Sequence, residues 1–105
     1  MEKWFKRRKK GIIEYNNGDI YDGNWLNDKI EGEGKIEYNN GDIYNGNWVN
    51  NKREGEGKIE YNNGDIYIGN FKNYLKEGKG ILITSEGKFE CIGKKWNKWI
   101  WNNIL

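Results

Sequence analysis

The sequence predicts an all-β fold: an elongated, single-layer antiparallel β-meander of repeated hairpins, with about eight strands. Three observations carry this. The stretch Glu37-Tyr38-Asn39-Asn40-Gly41-Asp42-Ile43-Tyr44 recurs at Glu14–Tyr21 and at Glu60–Tyr67, offset by 23 residues each time, a period that marks repeat architecture. Asn-Gly stands between two runs that alternate apolar and polar residues, the strongest local hairpin signal. Glycine and aromatic residues recur at fixed places between the turns, as in Tyr44-x-Gly46-x-Trp48 followed by Gly55-x-Gly57.

In chain order, residues 1–10 form a basic arm with six Lys/Arg and one Glu, net +5. Lys6, Arg7, Arg8, Lys9 and Lys10 would attract an anionic surface; the arm reads equally as a solvated tail or an N-terminal cap. Residues 11–96 hold the hairpin repeats. Gly11 opens a half unit, and full units follow as Tyr21-x-Gly23-x-Trp25 with Gly32-x-Gly34, then the Tyr44 unit, then Tyr67-x-Gly69-x-Phe71 with Gly78-x-Gly80. Side chains alternate across a strand. A three-residue Asn39-Asn40-Gly41 loop with Gly41 in the left-handed region therefore pairs Ile36 with Tyr44, Gly34 with Gly46 and Gly32 with Trp48. That register gathers every ring and glycine on one face, and a one-residue slip would scatter them.

Tyr21, Trp25, Tyr44, Trp48, Tyr67 and Phe71 are then candidates for a protein-binding groove or for the thin sheet's own core. The opposite face carries Glu14, Glu33, Glu37, Glu56 and Glu60. The second connection of each unit is less regular: Asp28 and Asn51 tolerate the left-handed region, whereas Tyr74 does so poorly, and the third loop is expected to differ. A weaker fourth copy starts at Ile83 and places Glu90 where a fourth Tyr would stand. Residues 97–105 form an aromatic cap. Trp96, Trp99, Ile100 and Asn103/Ile104 follow helical spacing, which predicts a short C-terminal helix that caps the open sheet, lies on a membrane surface or binds a partner.

Composition excludes several chemistries. There is no His, and Cys91 is the single cysteine, which removes a Ser/His/Asp triad, a Cys/His pair and a Cys/His zinc site. No phosphate-cradling Gly-x-x-x-x-Gly-Lys loop occurs. An enzyme is not expected, nor is a cofactor or a metal. No apolar run approaches the roughly 20 residues that span a bilayer, and the N-terminus lacks the apolar stretch of a secretory signal, so a cytoplasmic location is expected. Residues 11–87 sum to −6 and residues 88–105 to +3. The acidic body disfavours direct nucleic-acid binding.

The units Tyr21, Gly23, Trp25, Gly32, Gly34, Gly41 and their equivalents resemble MORN repeats, named for membrane occupation and recognition. The resemblance covers about residues 11–87, with a divergent continuation to about 96. This sequence departs from the family at Asp28, Asn51 and Tyr74, where Gly is usual, and at Phe71, which replaces Trp. The resemblance implies an elongated sheet with a shallow aromatic groove and non-enzymatic roles in scaffolding, self-association or acidic-phospholipid contact. The expected function is a protein-binding or scaffold module, with a homodimer compatible. One alternative is a small inhibitor, for example phage-encoded, whose acidic body imitates nucleic acid and blocks a host enzyme such as a defence nuclease. A second is peripheral attachment to anionic phospholipid through the basic ends.

Overall fold

The hairpin turn sets the architecture. Tyr38 N–H donates to the Asp42 carbonyl (2.8 Å) and Gly41 N–H donates to the Tyr38 carbonyl (2.9 Å). Three residues lie between the closing pair, and Gly41 sits at φ 97°, where only glycine fits without strain. The turns around Gly18 and Gly64 close in the same way. The register downstream is Ile36↔Tyr44, Gly34↔Gly46 and Gly32↔Trp48, as the parity argument requires.

The computed structural model describes residues 8–93 and 99–103. They form one antiparallel sheet in strict sequence order. Its strands are β1 (Arg8–Glu14), β2 (Ile20–Leu26), β3 (Lys29–Glu37), β4 (Ile43–Val49), β5 (Lys52–Glu60), β6 (Ile66–Lys72), β7 (Leu75–Thr84), β8 (Gly87–Gly93) and β9 (Trp99–Asn103). The molecule measures 56 × 26 × 21 Å.

One periodic feature is absent from the simple meander. Between Gly23↔Gly34 and Trp25↔Ile30, one residue of β2 faces three of β3. The same irregularity recurs between Gly46 and Trp48 and between Gly69 and Phe71. Gly32, Gly55 and Gly78 lie within these bulges with φ of 89°, 76° and 75°. Bulges bend a strand and raise its twist, so each unit contributes the same bend, and both rows of turns come to border one trough.

The core lies on one face of the sheet. Tyr21, Tyr44 and Tyr67 are fully buried, and Trp48, Phe71, Ile30, Ile36 and Ile59 nearly so. Each Tyr ring lies over a cross-strand glycine pair. A Cβ at Gly34 would overlap the hydroxyl end of the Tyr21 ring, and one at Gly57 would crowd the same end of the Tyr44 ring, the close approach that strand glycines mark. Rings four residues apart on one strand, and rings on strands two apart, meet edge to face: Tyr21–Trp25 at 5.3 Å and Tyr44–Trp48 at 5.2 Å within β2 and β4, Tyr21–Trp48 at 5.6 Å and Tyr44–Phe71 at 5.1 Å between repeats. This is the favoured geometry of ring quadrupoles. Their polar atoms are satisfied by backbone: Tyr44 Oη donates to the Asn47 carbonyl (2.8 Å), and Trp48 Nε1 to the Gly34 carbonyl (3.1 Å).

Three expectations are corrected. The C-terminal capping helix is not formed over the described residues: 99–103 is strand β9, paired antiparallel with β8 through Cys91↔Trp101. A helix this short is marginal alone, while the free edge of β8 offers a row of unpaired backbone groups; Trp96 and Ile104 lie outside the described residues. The third loop keeps the shape of the others, with Asn73 at φ 50° and Tyr74 at φ 74° against 53° and 68° for Asn50 and Asn51. Tyr74 is held there by its hydroxyl on the Asn51 carbonyl (2.6 Å), by its N–H on the Arg53 carbonyl (3.2 Å) and by Arg53 Nη2 on its own carbonyl (2.6 Å). Finally, the fourth hairpin is one residue shorter. Thr84 pairs with Gly87 and Leu82 with Phe89, so Phe89, and not Glu90, takes the fourth Tyr place.

Candidate functional site

Each repeat puts a second Tyr on the ring face. Tyr15, Tyr38 and Tyr61 stand immediately before the three-residue turns, two residues beyond Ile13, Ile36 and Ile59, so side-chain parity directs them to the same face. Because the sheet is bent, the opposite row of turns comes round to meet them. The result is a groove of about 590 Å³ lined by Ile13, Tyr15, Trp25, Tyr38 and Tyr74, with Ile30, Ile36 and Trp48 as its floor. Asn17 and Asp19 border it from one row of turns, and Asp28 and Asn51 from the other.

Tyr15 and Tyr74 are 36% and 43% exposed, so they present ring surface, whereas Tyr38 and Trp25 are half-buried. Burial raises the Tyr15 hydroxyl above its ordinary pKa, helped by the negative field of Asp19 and by Tyr74. Burial likewise raises Tyr38, opposed by the Arg53 guanidinium. These hydroxyls stay protonated at neutral pH and can donate or accept. Arg53 holds the place of Ile30 one repeat on. Its guanidinium lies 5.6, 5.3 and 5.7 Å from the Tyr44, Phe71 and Tyr74 ring centroids, a cation–π stack. Lys76 does the same over Tyr61 and Tyr67 at 5.2 and 5.1 Å. The ring face is therefore acid-rimmed at its first repeat and cation-capped at its second and third.

The six rings expected to form a groove divide differently. Tyr21, Tyr44, Tyr67, Trp48 and Phe71 are at most 3% exposed, and belong to the core. Trp25 is half-buried and lines the groove, its Nε1 donating to the Gly11 carbonyl at 3.2 Å. Tyr15, Tyr38 and Tyr74 were missed. Their signal was in the sequence for the first two, which repeat as strictly as the core tyrosines; Tyr74 reaches the groove only through the bend. Glu14, Glu33, Glu37, Glu56 and Glu60 do share the opposite face. Glu14, Glu37 and Glu60 alternate with Ile20, Ile43 and Ile66 across β1 to β6. Glu60 also meets Lys58 at 3.3 Å. Arg8, Lys9 and Lys10 are exposed on β1, with Lys9 Nζ 4.0 Å from Asp28; Lys6 and Arg7 lie outside the described residues.

Neighbouring repeats are also tied at their turns. Asn39 N–H donates to Asp19 Oδ1 (2.9 Å) and Asn39 Nδ2 to the Asn17 carbonyl (2.6 Å). Asn62 repeats both contacts with Asp42 and Asn40 at 2.8 and 2.7 Å. On the other row, Asn51 Oδ1 accepts from Ile30 N–H (2.8 Å), and Glu31 Oε1 accepts from Asn50 N–H (2.9 Å). The groove walls are thus laced from one repeat to the next, which favours a preformed surface over one assembled on binding.

The MORN repeat family matches residues 21–43, 44–66 and 67–89 in three consecutive copies. The chain belongs to the MORN repeat family. Each matched copy begins on a fully buried tyrosine, Tyr21, Tyr44 or Tyr67, so the family's repeat unit coincides here with one ring-over-glycine layer of the core. No curated protein matches the chain. MORN repeats suggest a protein- or membrane-binding module, and the family is generally non-enzymatic. Among the described residues no helix is long and apolar enough to cross a membrane.

Proposed function

We propose that this MORN-repeat chain is a non-enzymatic protein-binding module. Its ligand is an extended segment of another protein that places an aliphatic or aromatic side chain in the groove beside Trp25 and a basic side chain between Asp19 and Asp28. The observation that carries this reading is the groove itself: exposed Tyr15 and Tyr74 rings on opposite walls, an apolar floor, and a carboxylate on each rim. Tyrosine supplies amphipathic contact area and is enriched at binding hot spots. The rim carboxylates favour a basic segment and repel an acidic one.

The test is a binding screen of fluorescently labelled peptides in solution that vary one apolar and one charged position, read by fluorescence anisotropy. Peptides pairing an aromatic with Lys or Arg should bind, and their acidic counterparts should not. The double variant Tyr15→Ala/Tyr74→Asn removes both wall rings, and Asn suits the φ of 74° at position 74. It should keep its circular dichroism spectrum and lose at least about 2 kcal/mol of binding, the scale of a hot-spot truncation. Equal binding by that variant, or preference for acidic peptides, would defeat the reading.

A further inference from the structure

The solvent face changes character at the third repeat. In the first two repeats its central positions are polar: Asp22 and Asn45 on β2 and β4, Lys35 and Lys58 on β3 and β5, Glu37 and Glu60 beside them. One repeat on, the equivalents are Ile68, Ile81 and Ile83. With Ile66 they form a two-by-two block, Ile66↔Ile83 over Ile68↔Ile81, on adjacent strands β6 and β7. Ile68 and Ile81 are 45% and 37% exposed. Three substitutions in register, all from polar to isoleucine and all on the wet side of a single-layer sheet, are not needed by the core, which lies on the other face.

The block is framed by charge in a checkerboard. One row across the strands reads Glu60, Ile66, Ile83, Lys88, and the next reads Lys58, Ile68, Ile81, Glu90. The signs are opposite at the two ends of each row and opposite between the rows. An isologous dimer sets the same patch against itself, residue i on residue j and j on i. Turned over about an axis along the strands, Glu60 faces Lys88 of a second copy and Lys58 faces its Glu90. Turned about an axis across the strands, Glu60 faces Lys58 and Lys88 faces Glu90. In both cases every charge meets its opposite while the isoleucines meet isoleucines. Face-to-face sheets pack about 10 Å apart with their side chains interdigitated, within reach of Lys and Glu at the margin.

We infer that the Ile66/Ile68/Ile81/Ile83 block is a self-association surface whose partner is a second copy of this chain, stacked sheet on sheet with a two-fold axis in the interface. The aromatic groove is on the opposite face and stays open in such a dimer, so a dimer presents two grooves pointing outward.

The experiment is sedimentation equilibrium of the full chain. Unmodified protein should pass with rising concentration from 12.5 kDa to twice that mass. The variant Ile68→Asn/Ile81→Lys restores the residues that the second repeat carries at these places, Asn45 and Lys58, so its fold should be kept. It should lose the dimer, with an unchanged circular dichroism spectrum. Glu60→Lys alone should weaken association. Adding Lys88→Glu should restore it if the axis runs along the strands, and adding Lys58→Glu should restore it if the axis runs across them. A wild-type chain that stays monomeric at millimolar concentration would overturn the inference. So would an Ile68→Asn/Ile81→Lys variant that still dimerises, or a Glu60→Lys defect that neither second exchange repairs.

Discussion

The two faces of the sheet obey different rules. On the ring face, Tyr21, Tyr44 and Tyr67 recur at an exact spacing, each over a glycine pair and each hydrogen-bonded to the carbonyl three residues on. On the solvent face, the same strands carry Asp22, Asn45 and Ile68 at equivalent positions. The ring face repeats because each Tyr ring is packed on the glycine backbone of its own unit and on a ring of the next, and interiors tolerate little change in volume. The solvent face has no such partner within the chain, so it is free to vary. Recurrence therefore marks the core, although Tyr15 and Tyr38 recur as strictly and line the groove, and its failures at Tyr74 and the isoleucine block fall on exposed surface.

Breaking the ring face should cost the most. Gly34→Ala makes a Cβ overlap the hydroxyl end of the fully buried Tyr21 ring, so ring or backbone must shift. Loss of about 3 kcal/mol or more is expected from urea unfolding, at the upper end for overpacked cores. Asn45→Ala, on the other face of the neighbouring strand, should stay within about 0.5 kcal/mol, as exposed substitutions do.

A smaller contrast comes from alkaline titration. Burial pushes the Tyr21 and Tyr44 hydroxyls up to about 12 from an ordinary value of 10.0, and raises Tyr67 further. Tyrosines of the unfolded chain ionise first, so the unfolded state holds fewer protons than the native state across this window. Stability is then constant below about pH 10 and falls as pH rises from about 10 towards about 12. Thermal unfolding followed by circular dichroism should show the slope. Tyr44→Phe should flatten it while lowering stability at neutral pH by about 1 kcal/mol, through the lost bond to the Asn47 carbonyl.

The smallest effect belongs to the turns. Asn39→Ala removes the Nδ2 contact to the Asn17 carbonyl and leaves the backbone bond to Asp19 in place. The site is exposed, and a loss near the low end of the hydrogen-bond range, about 0.5 kcal/mol, is expected in chemical denaturation. Asn63→Ala offers the contrast. A Cβ added at Gly18 or Gly41 would meet the Asn39 or Asn62 Cβ at 3.1 Å, whereas one added at Gly64, in the same turn as Asn63, would meet nothing within 4 Å. The Asn63 side chain bonds within its own turn, accepting from Asp65 N–H (2.9 Å) and donating to Asp65 Oδ2 (3.4 Å), so its removal loses two bonds inside one turn and should cost at least as much as Asn39→Ala without loosening neighbouring repeats.

Much of this was legible from residues alone. The 23-residue period, the Asn-Asn-Gly turn and the side-chain parity of β-strands are local rules. They gave the strand order, the pairing of Ile36 with Tyr44 and the separation of rings from carboxylates. The site was less legible. Tyr15 and Tyr38 were visible as repeats but were not separable from strand ends, and nothing local distinguishes a ring that covers glycine from one that lines a groove. The helical spacing of Trp96, Trp99 and Ile100 was a true pattern with the wrong outcome, because the open edge of β8 outweighed an isolated short helix.

By itself the sequence determined the repeat, the register and which face is apolar, since each depends on contacts within one hairpin or between adjacent ones. The bend at Gly32, Gly55 and Gly78, the meeting of Tyr74 with Tyr15 and Tyr38 across the groove, and the gathering of Ile66, Ile68, Ile81 and Ile83 into a block framed by opposite charges were decided by the tertiary structure. They depend on how successive hairpins stack and curve, a sum over the whole sheet that no single repeat contains.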